Sequence, residues 1–144
     1  MSELYDRSEI EEAIEAGWQA RNTLNDAIEY LRTSSRWGIM DMLGGNLLTG
    51  MMKHSNMDKA QMHVEAAQEK LRIFQRELKD VRLAPDLKVN IEGFTRAADY
   101  LFDNIFMDMF VQSKIKRNIS ELQNTVTEID RVLEELRRIE QLED

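Results

Sequence analysis

Between Met57 and Val81 the chain reads MDKAQMHVEAAQEKLRIFQRELKDV, and small or apolar side chains recur at alternating spacings of three and four residues. This spacing is the period of an α-helix with one apolar stripe, and it persists for more than three heptads. The stripe consists of Met57, Ala60, Val64, Ala67, Leu71, Phe74, Leu78 and Val81. The sequence therefore predicts a long helix, helix B, over about 57–83, which ends before Pro85.

Three further helices are predicted on either side of helix B. A capping box that begins at Ser8 starts helix A, which we place at about 8–34. Helix C covers about 94–110 and is rich in aromatic residues, while helix D covers about 113–141 and repeats the three-four alternation. The apolar register changes phase between about 107 and 113. Helices C and D are therefore either one kinked helix or two separate helices.

Two connections join these helices, at 36–56 and at 84–93. The first is too long and too apolar for a turn, since it carries eight Leu, Ile or Met side chains. We expect it to form two short helices, at about 37–43 and 47–54, that act as a cap on the other helices. The second connection alternates polar and apolar residues, and we expect an extended segment there.

Together these elements predict an all-α protein of a single domain, residues 1–144. The expected architecture is an antiparallel bundle of four long helices, up-down-up-down and coiled-coil-like. Charge placement favours this order, because the acidic start of helix A and the basic end of helix B would lie side by side.

Composition excludes several classes of function. The net charge is −8, from 27 acidic and 19 basic residues, which disfavours nucleic acid and anionic membrane as partners. The chain has no Cys, so it has neither a disulfide framework nor a thiolate site. No apolar run approaches the roughly 20 residues of a membrane span, and we expect no stable membrane insertion. The N-terminal residues lack the pattern of a secretory signal, so the expected location is cytoplasmic.

The sequence matches familiar catalytic and metal-binding motifs only in part. Gly45 and Gly50 have the spacing of a phosphate-binding loop, but Met51 and Met52 occupy the next two positions, where the motif requires Lys and then Ser or Thr. His54 and His63 lack the Glu-x-x-His pattern of di-metal bundles, since Met51 and Ala60 precede them by three residues. We therefore predict no cofactor, no metal ligand and no catalytic residue. Enzymatic activity stays open, and the sequence favours a protein without it.

The 36–56 segment offers the most unusual surface of the chain. Up-down topology would place it beside the Met- and Phe-rich end of helix C. The two patches could close the core, form a groove for a ligand or partner, or insert into a membrane surface. The candidate ligand-binding residues at this end are Trp37, Asp41, Gly44, Gly45, Lys53, His54, Asp103 and Asp108.

Two runs carry a resemblance to known sequences. The first is Trp37-Gly38, Asp41, Leu43-Gly44-Gly45, Lys53-His54, Asp58 and Ala60. The second is Phe102-Asp103-Asn104-Ile105-Phe106, Asp108 and Val111-Gln112. Over about 36–125 the chain resembles a group of uncharacterised bacterial all-helical, coiled-coil-like proteins with no established activity. The resemblance implies a helical fold and no particular chemistry.

The leading expectation is a non-enzymatic helical interaction or scaffold protein that self-associates or binds another helical protein. Helix D is roughly 40 Å long at 1.5 Å per residue, whereas helix C is shorter. Part of the long helices would then lack a neighbour within one chain. The alternative is a small-ligand or divalent-metal site, for binding alone or for catalysis, at the Met- and Phe-rich end.

Overall fold

The computed structural model describes residues 7–44, 47–81 and 85–143, and side-chain surroundings for 7–33, 58–81, 87–111 and 113–141. The described residues are almost entirely helical and contain no strand, so the predicted all-α class is confirmed. None of the helices they form has the length and apolar character needed to cross a membrane. The α-helices are α1 (Arg7–Gly44), α2 (Leu47–Lys79), α3 (Pro85–Tyr100) and α4 (Ile115–Glu143).

Each helix contributes one apolar stripe to a common core. Helix α1 packs against α2 and α4, and α3 packs against α4. The described positions of the α2 stripe, from Ala60 to Val81, are all buried as predicted. At the centre, the fully buried rings of Phe74 and Phe94 lie 4.9 Å apart and tie α2 to α3. The arrangement is consistent with a helix bundle.

Gly17 marks the closest approach of α1 to its neighbours. A Cβ atom there would lie 2.7 Å from Leu133 Cδ2 of α4 and 2.9 Å from Phe74 Cζ of α2. The small residues Ala13 and Ala20, both fully buried, flank Gly17 on the same helix. Gly17 interrupts the apolar spacing of the sequence, but in the structure the missing side chain lets three helices meet.

The two longest helices extend beyond the predicted ends. Helix A was expected to end at about 34, with a cap of two short helices over 36–56, whereas α1 continues to Gly44 and α2 begins at Leu47. That part of the prediction is wrong. Helix α1 can continue through this stretch because a single Gly such as Gly38 costs a helix only about 1 kcal/mol, and the stretch contains no Pro.

The predicted extended connector at 84–93 is also wrong, because α3 begins at Pro85. Proline suits the first turn of a helix, where its missing N–H would have no partner anyway. Val89 is 67% exposed, whereas Leu87 is buried and Ile91 is half-buried. Burial therefore follows the four-residue period of a helix, and the apparent two-residue alternation of the sequence was misleading.

Candidate functional site

The most irregular described backbone joins α3 to α4. A π-helix over Leu101–Ile105 continues α3, and 3-10 turns follow at Phe106–Asp108 and Gln112–Lys114. The predicted change of register between about 107 and 113 falls within this junction, and α3 and α4 are separate helices. Because π-helical turns are uncommon and occur often at functional sites, the junction is the first place to seek one.

Asn118 organises the junction from the first turn of α4. Its side chain is fully buried, and Nδ2 donates to the backbone carbonyls of Asp108 at 2.9 Å and Met109 at 3.3 Å. Its Oδ1 accepts a hydrogen bond from Arg117 Nη2 at 3.1 Å. The Asp108 carbonyl also accepts a backbone hydrogen bond from Val111 N at 3.1 Å, so Asn118 adds a second donor there and supplies one to Met109. Sequence reasoning missed Asn118, although a polar residue three after Ile115 and four before Leu122 was a visible signal.

We expect replacement of Asn118 by Ala to lower the free energy of unfolding by about 1–3 kcal/mol, because the buried Met109 carbonyl would lose the Asn118 donor and the Asp108 carbonyl would keep only its bond from Val111 N. Chemical denaturation of the variant measures this change. Asn124→Ala is the matched control, since Asn124 is exposed on the same helix. Equal stability of the two variants would show that the buried amide is not needed to hold the junction.

Asp108, one of the predicted ligand-binding residues, has a structural partner. Its Oδ2 accepts a hydrogen bond from Lys114 Nζ at 3.0 Å across the junction, and both side chains are partly exposed. Asp103 lies on the π-helix and is exposed. The described residues contain no group of three His, Asp or Glu side chains placed to hold a metal ion. Neither acid is therefore part of a described metal site.

The other predicted residues lie on the two long helices. Trp37, Asp41 and Gly44 fall within α1, and Lys53 and His54 fall within α2. Their side-chain surroundings, and Gly45 altogether, lie outside the described residues. Whether these groups converge on one site stays a prediction.

The outer face of the junction carries an aromatic patch. The rings of Phe102 and Phe106 lie 5.3 Å apart, and the Arg72 guanidinium of α2 lies 4.1 Å from the Phe102 ring centre. Met107 is 81% exposed and Val111 is 42% exposed. We call Phe102, Phe106, Met107 and Val111 the junction patch. Met107 and Val111 are its exposed members, whereas Phe102 and Phe106 are half-buried and pack against the core.

A second surface feature is a groove of about 550 Å³ between α1 and α4, beside Trp18. The Arg137 and Arg21 guanidinium groups lie 4.5 and 5.5 Å from the centre of the half-buried indole. Arg21 Nε also donates to Asp130 Oδ1 at 2.6 Å. Arg21 and Arg137 are thus already engaged in cation–π contacts with Trp18, and Arg21 also in an ion pair. These contacts hold α1 against α4 and account for the charged groups beside the groove.

The described residues thus form a helix junction held by Asn118, the junction patch and a groove beside Trp18. Among these described features there is no nucleophile with a neighbouring base and a group that orients the base. No protein-family model, no curated protein and no solved structure matches the chain.

Proposed function

We propose that this protein is a non-enzymatic helical interaction protein that self-associates through the ends of α1 and α2. The observation that carries the proposal is the mismatch in helix length. Helices α1 and α2 have 38 and 33 residues, whereas α3 has 16 and α4 has 29. At 1.5 Å per residue, α1 is about 57 Å long and α3 about 24 Å. The two longest helices thus exceed what the two shorter ones can cover.

We further propose that the helices run up-down-up-down. Two contacts support opposite directions for α1 and α2: Gly17 lies beside Phe74, and the Tyr30 ring stacks on His63 with centroids 4.4 Å apart. In α4, Leu133 lies beside Gly17, and Asp130 pairs with Arg21. As residue numbers rise along α1, the numbers of the residues that they contact in α2 and in α4 fall. This supports an antiparallel arrangement of α1 with each of the two helices.

This alignment suggests where the uncovered part begins. Equal rise along α1 and α4 places Ile115, the first residue of α4, beside about residue 35 of α1. Beyond it, α1 continues to Gly44 and α2 starts at Leu47. We call residues 36–44 and 47–56 the hairpin extension. Eight of its residues are Leu, Ile or Met. Two helices alone bury an apolar stripe poorly, whereas two such pairs can form a four-helix arrangement.

A second copy of the chain is the partner that we propose for the hairpin extension. A two-fold axis would pair two extensions and would bring the two junction patches, each with an exposed Met107, close to the same interface. Because the extension itself carries Asp41, Lys53 and His54 among its apolar residues, polar groups are available for the rim of such an interface.

Native mass spectrometry at micromolar concentration tests this proposal. The expected species has twice the 16.9 kDa chain mass. A variant with Leu43, Leu47 and Leu48 all replaced by Glu is expected to be monomeric and still helical, because like charges would meet across the interface. Val89→Glu is the control, since Val89 is exposed near the start of α3 and outside the extension. A monomeric wild type, or a dimeric triple variant, would refute the proposal.

A further inference from the structure

Helices α2 and α3 diverge along a groove of about 470 Å³. They contact each other at far fewer positions than α1 and α2, or α3 and α4, do. Leu78 and Val81 line the groove and belong to the buried core, and the half-buried Ile91 lines it from α3. An apolar ligand group in the groove would therefore contact core side chains directly. Spaces between the helices of a bundle are common places for small-molecule sites.

Contacts across the groove establish how its two walls are aligned. Gln75 Nε2 of α2 donates to Asp99 Oδ1 of α3 at 3.4 Å. Nearby, Arg72 lies over the Phe102 ring at 4.1 Å. Residue numbers thus fall along α2 as they rise along the opposite wall. The Gln75–Asp99 bridge closes one end of the groove with polar groups.

Away from this bridge the lining becomes apolar. One turn along each helix, Lys79 of α2 and Thr95 of α3 line the middle of the groove. Ile91, one turn before Thr95 on α3, and Val81, two residues past the end of α2, line the groove beyond this level. The groove therefore has a cation and a hydroxyl group at its centre and apolar walls on one side of them.

The Thr95 hydroxyl differs from the other described helical threonines. Thr23, Thr33, Thr125 and Thr127 each donate to the backbone carbonyl four residues earlier. Thr95 is half-buried and makes no such bond, nor any other side-chain hydrogen bond to a described residue. A half-buried hydroxyl group without a partner is available to a ligand.

Lys79 is likewise uncommitted. It is exposed at the end of α2 and forms no ion pair with a carboxylate of the described residues. Among the described lining residues, the one acid, Asp99, accepts a hydrogen bond from Gln75, whereas the ammonium group of Lys79 has no such contact and favours a ligand of negative charge beside it.

We propose that the α2–α3 groove binds an amphipathic monocarboxylate with a short aliphatic tail. The carboxylate accepts hydrogen bonds from Lys79 Nζ and the Thr95 hydroxyl. The tail extends past the buried Val81 and over the half-buried Ile91, where it displaces water from apolar surface. The carboxylate of Asp99 would repel a head group placed at the Gln75–Asp99 bridge, which disfavours binding with the ligand carboxylate at that end of the groove.

Titration of the isotope-labelled full chain with octanoate, followed by amide NMR shifts, tests the inference. The largest shifts are expected at 75–81 and 91–99. Octyltrimethylammonium, which has the same tail and the opposite charge, is expected to leave these amides unshifted. Equal shifts with both amphiphiles would show that only the tail is recognised, and shifts concentrated elsewhere would place the site outside the groove; either result overturns the proposal.

Two substitutions identify the polar contacts. Lys79→Met is expected to weaken octanoate binding about fivefold, the loss of one exposed ion pair. Thr95→Val, which keeps the side-chain shape, is expected to weaken it about threefold, as for one hydrogen bond. Lys59→Met is the control, because Lys59 is exposed on the same helix and does not line the groove. Unchanged affinity in Lys79→Met, or an equal loss in Lys59→Met, contradicts the assigned head-group site.

Discussion

Replacement of Gly17 by Val is expected to lower the free energy of unfolding by about 2 kcal/mol. A Cβ atom at this position would lie 2.7 Å from Leu133 Cδ2 and 2.9 Å from Phe74 Cζ, well inside van der Waals contact. Both side chains are buried in the core, so neither can turn into solvent. The added side chain would instead push α1 away from α2 and α4. Urea denaturation measures the change, at one protein concentration because self-association adds to stability.

Gly93→Ala provides the control, since Gly93 is also a glycine within a helix. Its Cβ would approach only the Glu128 carboxylate, at 3.0 Å, and a flexible side chain can move aside. Alanine has the higher helix propensity, so this variant is expected to gain about 0.5–1 kcal/mol. A loss of stability as large as that of Gly17→Val would show that helix contact is not what distinguishes the two positions. A neutral Gly17→Val would remove the close approach altogether.

How far sequence reasoning succeeds depends on how complete each apolar stripe is. The stripes of α2 and α4 are nearly continuous, and their period alone predicts the helices and their buried faces. In α1 the stripe is interrupted at Gly17, and spacing cannot reveal that a neighbouring helix fills the gap. For α3, the short run before Gly93 fits both a strand and a helix, and Pro85 allows either an end or a start.

The candidate site was harder to predict because its hydrogen bonds join residues that helical spacing does not bring together. Asp108 was predicted as a ligand group from its residue type and its expected place at the Met- and Phe-rich end, but its partner Lys114 lies beyond a break in the helix. Asn118 reaches back to carbonyls nine and ten residues earlier, a geometry that exists only once the π-helix and 3-10 turns are formed. Spacing rules for continuous helices therefore cannot identify it.

Truncation of Phe74 to Ala is expected to produce the largest single loss of stability, about 3–5 kcal/mol. The ring is fully buried, packs at a tilt against Phe94 with centroids 4.9 Å apart and lies beneath Gly17, so its removal leaves a cavity where three helices meet. Thermal and urea unfolding measure the loss. If the variant does not fold, Phe74→Leu leaves a smaller cavity and keeps the comparison measurable. A loss below about 1 kcal/mol would mean that the site collapses around the missing ring.

Combining the two largest changes tests whether Gly17 and Phe74 act through their contact. In the double variant Gly17→Val/Phe74→Ala, the valine methyl groups occupy part of the space that the ring vacates. Its loss of stability is therefore expected to be about 1–2 kcal/mol smaller than the sum of the single losses. The control pair is Gly17→Val with Leu31→Ala, because Leu31 is buried on α1 about 21 Å from Gly17. That pair should be additive within about 0.5 kcal/mol. Additive losses in both pairs would mean that the valine at position 17 does not clash with Phe74. The strain of Gly17→Val would then come from its other close contact, Leu133, alone.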